Sequence, residues 1–151
     1  MTLMKKIVFY IIISVSFLYP QNISVDNNKD FEKALSYYNM KNYENALNLF
    51  QKIFKRPENN TKATVSAFFI SKILVEQKKY SEAEKSINDF LIKYSQSKYA
   101  DEIKKLLIKN YLDKNDYLGA FNNSLKLIAS SKSIVYKKET KSIAEKIAVN
   151  Y

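Results

Sequence analysis

The sequence predicts an all-α fold: an α-solenoid of about three helix-turn-helix repeats with a C-terminal capping helix, behind an N-terminal signal peptide. Three observations lead there. A Tyr stands three residues before an Ala in Tyr43-Glu44-Asn45-Ala46, Tyr80-Ser81-Glu82-Ala83 and Tyr117-Leu118-Gly119-Ala120, and 37 residues separate each copy from the next, a period in the range of helical arrays. Apolar residues recur at helical spacing between the copies. Only one Gly and two Pro occur in 151 residues, so the Gly-based hairpin turns of an all-β fold are missing.

Composition narrows the chemistry. With 46% hydrophobic and 14% aromatic residues the chain can bury a core. It has no Cys and no His, which removes disulfides, thiol nucleophiles, and the commonest general base and metal ligand. Net charge is +10, yet Arg56 is the sole Arg among 25 basic residues. Phosphate and base recognition draws on Arg forks, so this balance reads as a lysine-rich solvated surface.

Residues 1–22 hold Lys5 and Lys6, an apolar run from Ile7 to Ile13 continuing to Tyr19, and the polar exit Pro20-Gln21-Asn22. A charged start with an apolar run shorter than the ~20 residues of a spanning helix is a secretory signal peptide, with an uncleaved anchor as the other reading. No Cys follows the run, which excludes a lipid anchor. Residues 23–28 read as a loose linker in which Asp26 or Asn27 caps the first helix, and residues 29–151 as the repeat domain, with repeats at about 29–60, 61–97 and 98–132 and a cap at 133–151.

The first helix runs from Lys29 to about Met40 on Phe31, Ala34, Leu35, Tyr37 and Tyr38, and the second from Tyr43 to about Lys55, stopped by Pro57. The third, Ala63 to about Gln77 with Asn60 or Thr61 as cap, is apolar around most of its circumference and is expected between neighbours. Ser81-x-x-Glu84 reads as a capping box for a fourth helix ending near Tyr94. Ser97 caps a fifth, Tyr99 to Asp113, with Asp101 and Glu102 at the positive end of its dipole. The sixth covers Asp116 to Ser130. A seventh, Ile134 to Val149, is expected to turn Ile143, Ala144, Ile147, Ala148 and Tyr151 inward and a polar face outward, as a terminal cap requires.

These helix pairs resemble tetratricopeptide repeats. The resemblance lies in Tyr43, Tyr80 and Tyr117 at the start of each second helix, Ala46, Ala83 and Ala120 three on, Phe50 and Ile87 four further, then Ile53, Phe90 and Leu127. The first helices supply a small residue (Ala34, Ser71) and a bulky one (Tyr37, Leu74, Tyr111). The period exceeds the usual ~34 residues, Ile108 stands where a small residue is expected, and Ser124 where a large one is. Tyr94-Ser95-Gln96-Ser97-Lys98-Tyr99-Ala100 is also similar to the inter-repeat turn of the periplasmic subset, which includes the outer-membrane assembly lipoprotein and the cell-division coordinator.

The resemblance implies a non-catalytic protein-binding scaffold of the cell envelope, periplasmic or secreted, with no cofactor and no metal. It places Asn28, Phe31, Leu35, Tyr38 and Asn39 on a concave groove, followed by Val65, Phe68, Lys72, Val75 and Glu76, then Glu102, Lys105, Lys109, Leu112 and Asp113. Of these, Phe31, Tyr38, Asn39, Phe68, Lys72, Lys105 and Lys109 are the candidate partner-binding residues, gripping a protein or peptide with an acidic segment. Against this stands the reading that the lysines are solvated and the aromatics core. A helical-repeat nucleic-acid binder is the alternative function. It needs basic groups gathered on one face and a cytoplasmic or organellar address, whereas here Lys is dispersed along the sequence and the start looks secretory, so no nucleic acid is expected, and membrane contact is expected only through a retained N-terminal segment. A wall-acting enzyme working through carboxylates alone is a third reading, but Asp101 with Glu102 and Glu82 with Glu84 fall at exposed helix starts. Asp113-Lys114-Asn115-Asp116 lacks the ligand and Gly positions of a calcium loop and reads as a turn with a cap.

Overall fold

The computed structural model describes residues 27–56 and 60–150. Among the described residues there are seven helices and no strand: α1 (Asn27–Asn39), α2 (Tyr43–Phe54), α3 (Asn60–Glu76), α4 (Tyr80–Lys93), α5 (Ala100–Asp113), α6 (Tyr117–Ser130) and α7 (Ile134–Asn150). Each helix packs on the next in chain order, and α3 also meets α5. None of the described helices is long and apolar enough to cross a membrane. The signal peptide expected over residues 1–22, the cap expected at Asp26 and the stop expected at Pro57 lie outside the described residues.

One backbone device recurs. Lys41, Lys78 and Asn115 have φ of 58°, 56° and 61°, a left-handed conformation that side-chain-bearing residues seldom adopt. At each, the residue's N–H donates to the carbonyl three back and the next N–H to the carbonyl five back from itself: Lys41 to Tyr38 and Asn42 to Tyr37, Lys78 to Val75 and Lys79 to Leu74, Asn115 to Leu112 and Asp116 to Tyr111, all at 2.9 Å. This paired closure satisfies the last carbonyls of the first helix. The residue after the left-handed one then serves as N-cap of the second helix.

That geometry corrects several expected caps. Because α4 starts two residues after Lys78, Tyr80 is already helical, Ser81 lies in the first turn, and the N-cap is Lys79, whose side chain makes no capping bond. Asn42 does cap, accepting from the Asn45 N–H at 3.4 Å, and so does Asp116, accepting from Gly119 at 2.8 Å. At α5 the N-cap is Tyr99, not Ser97; the Ser97 Oγ accepts the Tyr99 N–H at 3.2 Å inside the preceding turn. Asp101 and Glu102 do occupy the first turn of α5. Asn60 and Thr61 fall within α3 instead of capping it, and α1 begins at Asn27, inside the expected linker.

The core runs along the stack. Ala46, Ala83 and Ala120 are fully buried where each second helix crosses its partner, since a side chain no larger than a methyl allows close axial approach. Phe50 and Phe90, also buried, each contribute about 1.5–3 kcal/mol. Phe69 on α3 packs against both the first and the central cluster and stacks on Phe50 at 4.9 Å, so the all-round apolar α3 does sit between neighbours. Ser71 fits the interior by donating to the Ala67 carbonyl at 3.1 Å and pairing with Ser86 at 2.8 Å.

The third pair departs from the first two in a compensating way. Ile108 is buried where Ala34 and Ser71 stand in earlier copies, and Ser124 is buried where Phe50 and Ile87 stand. Volume added on α5 is removed on α6. The only Gly lies in the same pair: a Cβ at Gly119 would come within 2.6 Å of the Tyr111 ring and 2.9 Å of the Asp116 cap.

On α7 the buried line is Thr140, Ala144 and Ile147, with Ile143 half-buried. Ala148 turns outward, contrary to expectation, because the inner line follows the steps i, i+4 and i+7 from Thr140; Tyr151 lies outside the described residues. Lys137, Lys138, Lys141, Glu145 and Lys146 are exposed as expected. The outer face is not purely polar, however, for Ile134, Val135 and Val149 share it.

Two stability measurements check this packing. Lys79→Asp should supply the missing cap and raise stability by about 0.5–1 kcal/mol in urea unfolding. Ser124→Ile should cost about 1–3 kcal/mol by overpacking, and combining it with Ile108→Ala should recover more than ~0.5 kcal/mol relative to the sum of the two single changes. Strict additivity would show that the two sites do not trade volume.

Candidate functional site

The expected groove positions fall three, four and seven apart on α1, α3 and α5, which puts each set on one helix face. A pocket of about 290 Å³ opens there, lined by Phe68 and Lys72 from α3, Glu102, Lys105, Leu106, Ile108, Lys109 and Leu112 from α5, and Ile143 from α7. The structure thus brings Phe68, Lys72, Lys105 and Lys109 together. Its floor is apolar and its rim carries three ammonium groups and the Glu102 carboxylate, the combination of apolar body and few polar groups common in binding sites. A larger depression, about 470 Å³, lies over the α4–α5 turn among Thr61, Thr64, Tyr94 and Tyr99 and shares no residue with it.

Each rim lysine is held differently. Lys72 Nζ lies 5.5, 5.4 and 5.7 Å from the ring centres of Tyr38, Phe68 and Phe69, inside the range of cation–π attraction. Among the described residues no carboxylate is within 4.0 Å of it. Lys105 Nζ donates to Glu139 of α7 at 2.5 Å and lies 5.1 Å over Tyr136. Lys109 donates to Asp113 at 2.7 Å and stands 3.8 Å from Glu76 on α3. Burial pulls the Lys109 pKa down, but the hydrogen bond and charge of Asp113, with the charge of Glu76, outweigh it and leave the pKa above its ordinary value.

Four of the seven candidate residues therefore line one pocket, and a fifth, Tyr38, touches it through Lys72. Phe31 does not; it packs edge-on against Phe50 at 6.0 Å. Asn39 is exposed at the end of α1. Two groove positions are less open than expected. Val75 is fully buried and belongs to the core, while Phe68, only 4% exposed and stacked on Tyr99 at 5.0 Å, lines the pocket as wall and not as a free ring. The reading that the lysines are merely solvated also fails for Lys105 and Lys109.

A second polar cluster, between α4 and α5, was hidden in the sequence. Asn110, fully buried, donates through Nδ2 to the Tyr80 carbonyl at 3.1 Å. Tyr80 OH donates to the Asp113 carbonyl at 2.9 Å, and Tyr111 OH to Glu84 at 2.5 Å with Lys114 Nζ 3.4 Å from the same carboxylate. Asp101 is likewise tied across helices, accepting from Ser131 Oγ at 2.6 Å, so neither it nor Glu84 is the open helix-start carboxylate that the sequence implied. The signal that could have revealed Asn110 is the period, since Ile73 and Ile147 occupy its place one copy away on either side. Asp113 to Asp116 forms the turn and cap described above.

The Tyr111 bond should be visible in pH dependence. Its hydrogen bond to Glu84, then burial, then the charges of Glu84 and Asp116 push its pKa from 10.0 up to about 12. A raised folded pKa gives stability that is fully present below about pH 10 and is lost as pH rises toward about 12. The stability advantage of the wild type over Tyr111→Phe should therefore shrink across that window, and an advantage constant in pH would rule the bond out.

Neither a scan of protein-family models nor a search of curated proteins finds a match to this chain.

Proposed function

We propose that this chain is a non-catalytic, tetratricopeptide-like scaffold of the cell envelope that holds a partner protein or peptide against the face formed by α3, α5 and α7. The observation that carries the reading is the convergence of Lys72, Lys105 and Lys109 over an apolar floor. A segment with carboxylates spaced along an apolar stretch would match this rim and floor. The stacked helix pairs and their recurring left-handed turns support the repeat assignment. The charged start and apolar run of residues 5–19 support export. A chain without His or Cys is suited to holding rather than transforming its partner.

The test is partner capture from envelope extracts after crosslinking in intact cells. Lys72→Glu combined with Lys109→Gln should reduce capture on the order of tenfold, as expected for charge complementarity at a rim, with helicity by circular dichroism unchanged. Glutamine is chosen at 109 because a carboxylate there would face Asp113 and Glu76. Capture equal to the parent's would sink the proposed groove.

A further inference from the structure

The exposed apolar side chains are unevenly placed. Of the seven large ones among the described residues, Leu118, Leu125, Ile134, Val135 and Val149 lie on α6 and α7. On α7, Ile134 is 82% exposed, Val135 64% and Val149 84%. The internal period supplies a control. Ile134 corresponds to Ser97 and Asn60 one and two copies earlier, and Val135 to Lys98 and Thr61. On α6, Leu118 corresponds to Ser81 and Glu44, and Leu125 to Asn88 and Gln51. The fold accepts polar residues at all four places, so these aliphatics are not there for packing.

Charge says what they meet. Residues 117–150 contain six lysines against two glutamates, a net of +4. Around Ile134 and Val135 stand Lys132, Lys137, Lys138 and Lys141, all exposed. The two glutamates are engaged, Glu139 by Lys105 at 2.5 Å and Glu145 by Lys141 at 3.8 Å. Aliphatic tips ringed by lysines would repel a second copy of the same face. A fluid anionic interface accepts them: branched tips enter the acyl boundary while long lysine stems keep their ammonium groups among the headgroups.

We infer that the outer face of α7 is a reversible docking surface for an anionic phospholipid bilayer, with Ile134 and Val135 as the inserting tips and the surrounding lysines as the electrostatic contact. This goes beyond the partner groove, whose lining includes neither Ile134 nor Val135 nor any lysine of α7. It is also independent of the apolar N-terminal run.

The chain contains no Trp, so Val135→Trp in the full-length protein gives a single reporter. Vesicles of phosphatidylcholine with an equal amount of phosphatidylglycerol should shift its emission to the blue, and bromine-labelled acyl chains should quench it; phosphatidylcholine alone should do neither. Adding Lys138→Glu and Lys141→Glu should raise the lipid concentration for half-maximal quenching roughly tenfold or more, and high salt should act in the same direction. Ile92→Trp, on α4 and more exposed than residue 135, at 82% against 64%, should remain unquenched. That comparison separates the α7 face from tethering by the N-terminal run, which would bring both reporters near lipid without burying residue 135. An unquenched residue 135, equal quenching at both sites, equal quenching by neutral lipid, or a blue shift that follows protein concentration without lipid would each overturn the inference.

Discussion

The structure hangs on a left-handed residue at the bend of each helix pair. With Lys41, Lys78 and Asn115 at φ near 60°, the chain leaves one helix through two backbone hydrogen bonds and enters the next two residues later. Two of the three residues are lysines, for which this conformation costs on the order of 1 kcal/mol each; the paired hydrogen bonds and the packing of the two helices offset it. The Tyr-x-x-Ala spacing then has a mechanical origin. Once the bend fixes the first helical residue, the fourth faces the partner helix at its nearest approach, where Ala is tolerated and a larger side chain is not.

Volume is settled pair by pair. In the first pair Ala34 admits Phe50, while the third places Ile108 and Ser124 at the corresponding positions, all four buried. A local inversion of large and small keeps the summed volume of the crossing similar, the kind of change that cores tolerate best. Asn110 is harder to accommodate, for it occupies a site filled by Ile73 and Ile147 elsewhere. Its amide nitrogen reaches the Tyr80 carbonyl, but its Oδ1 is buried without a partner among the described residues. With Tyr80 and Tyr111 it forms a directional link between the second and third pairs, which apolar packing alone would leave free to slide.

The helices were legible in the sequence because a 3.6-residue apolar pattern, few breakers and a fixed period all point one way. The convergence of Lys72, Lys105 and Lys109 was legible too, since register alone carries equivalent residues to one face. The caps were not. Ser81-x-x-Glu84 has the composition of a capping box, yet the bend at Lys78 starts the helix at Tyr80, and Glu84 goes instead to Tyr111 and Lys114. Register could not separate groove from core at Phe68 and Val75 either, because that distinction depends on how far α5 approaches α3. The exposed aliphatics of α7 are not legible for a similar reason: the buried line of the last helix includes Thr140, a residue that an apolar pattern does not count.

The lysines of the groove set a condition on any acidic partner. Lys105 and Lys109 already hold Glu139 and Asp113, so an incoming carboxylate must share or displace an internal one, and much of its Coulombic gain goes into replacing an interaction already present. Such a site favours a partner whose acids match the spacing of the rim over one that is merely negative, because a poorly placed acid gains little against a carboxylate already in position. Lys72 differs. Its ammonium rests among three rings without a carboxylate within salt-bridge distance among the described residues, and an acid brought to it forms a new ion pair without breaking an old one. Affinity in the groove would then centre on Lys72, while Lys105 and Lys109 set selectivity and, through Glu139 and Glu76, hold α7 and α3 to α5.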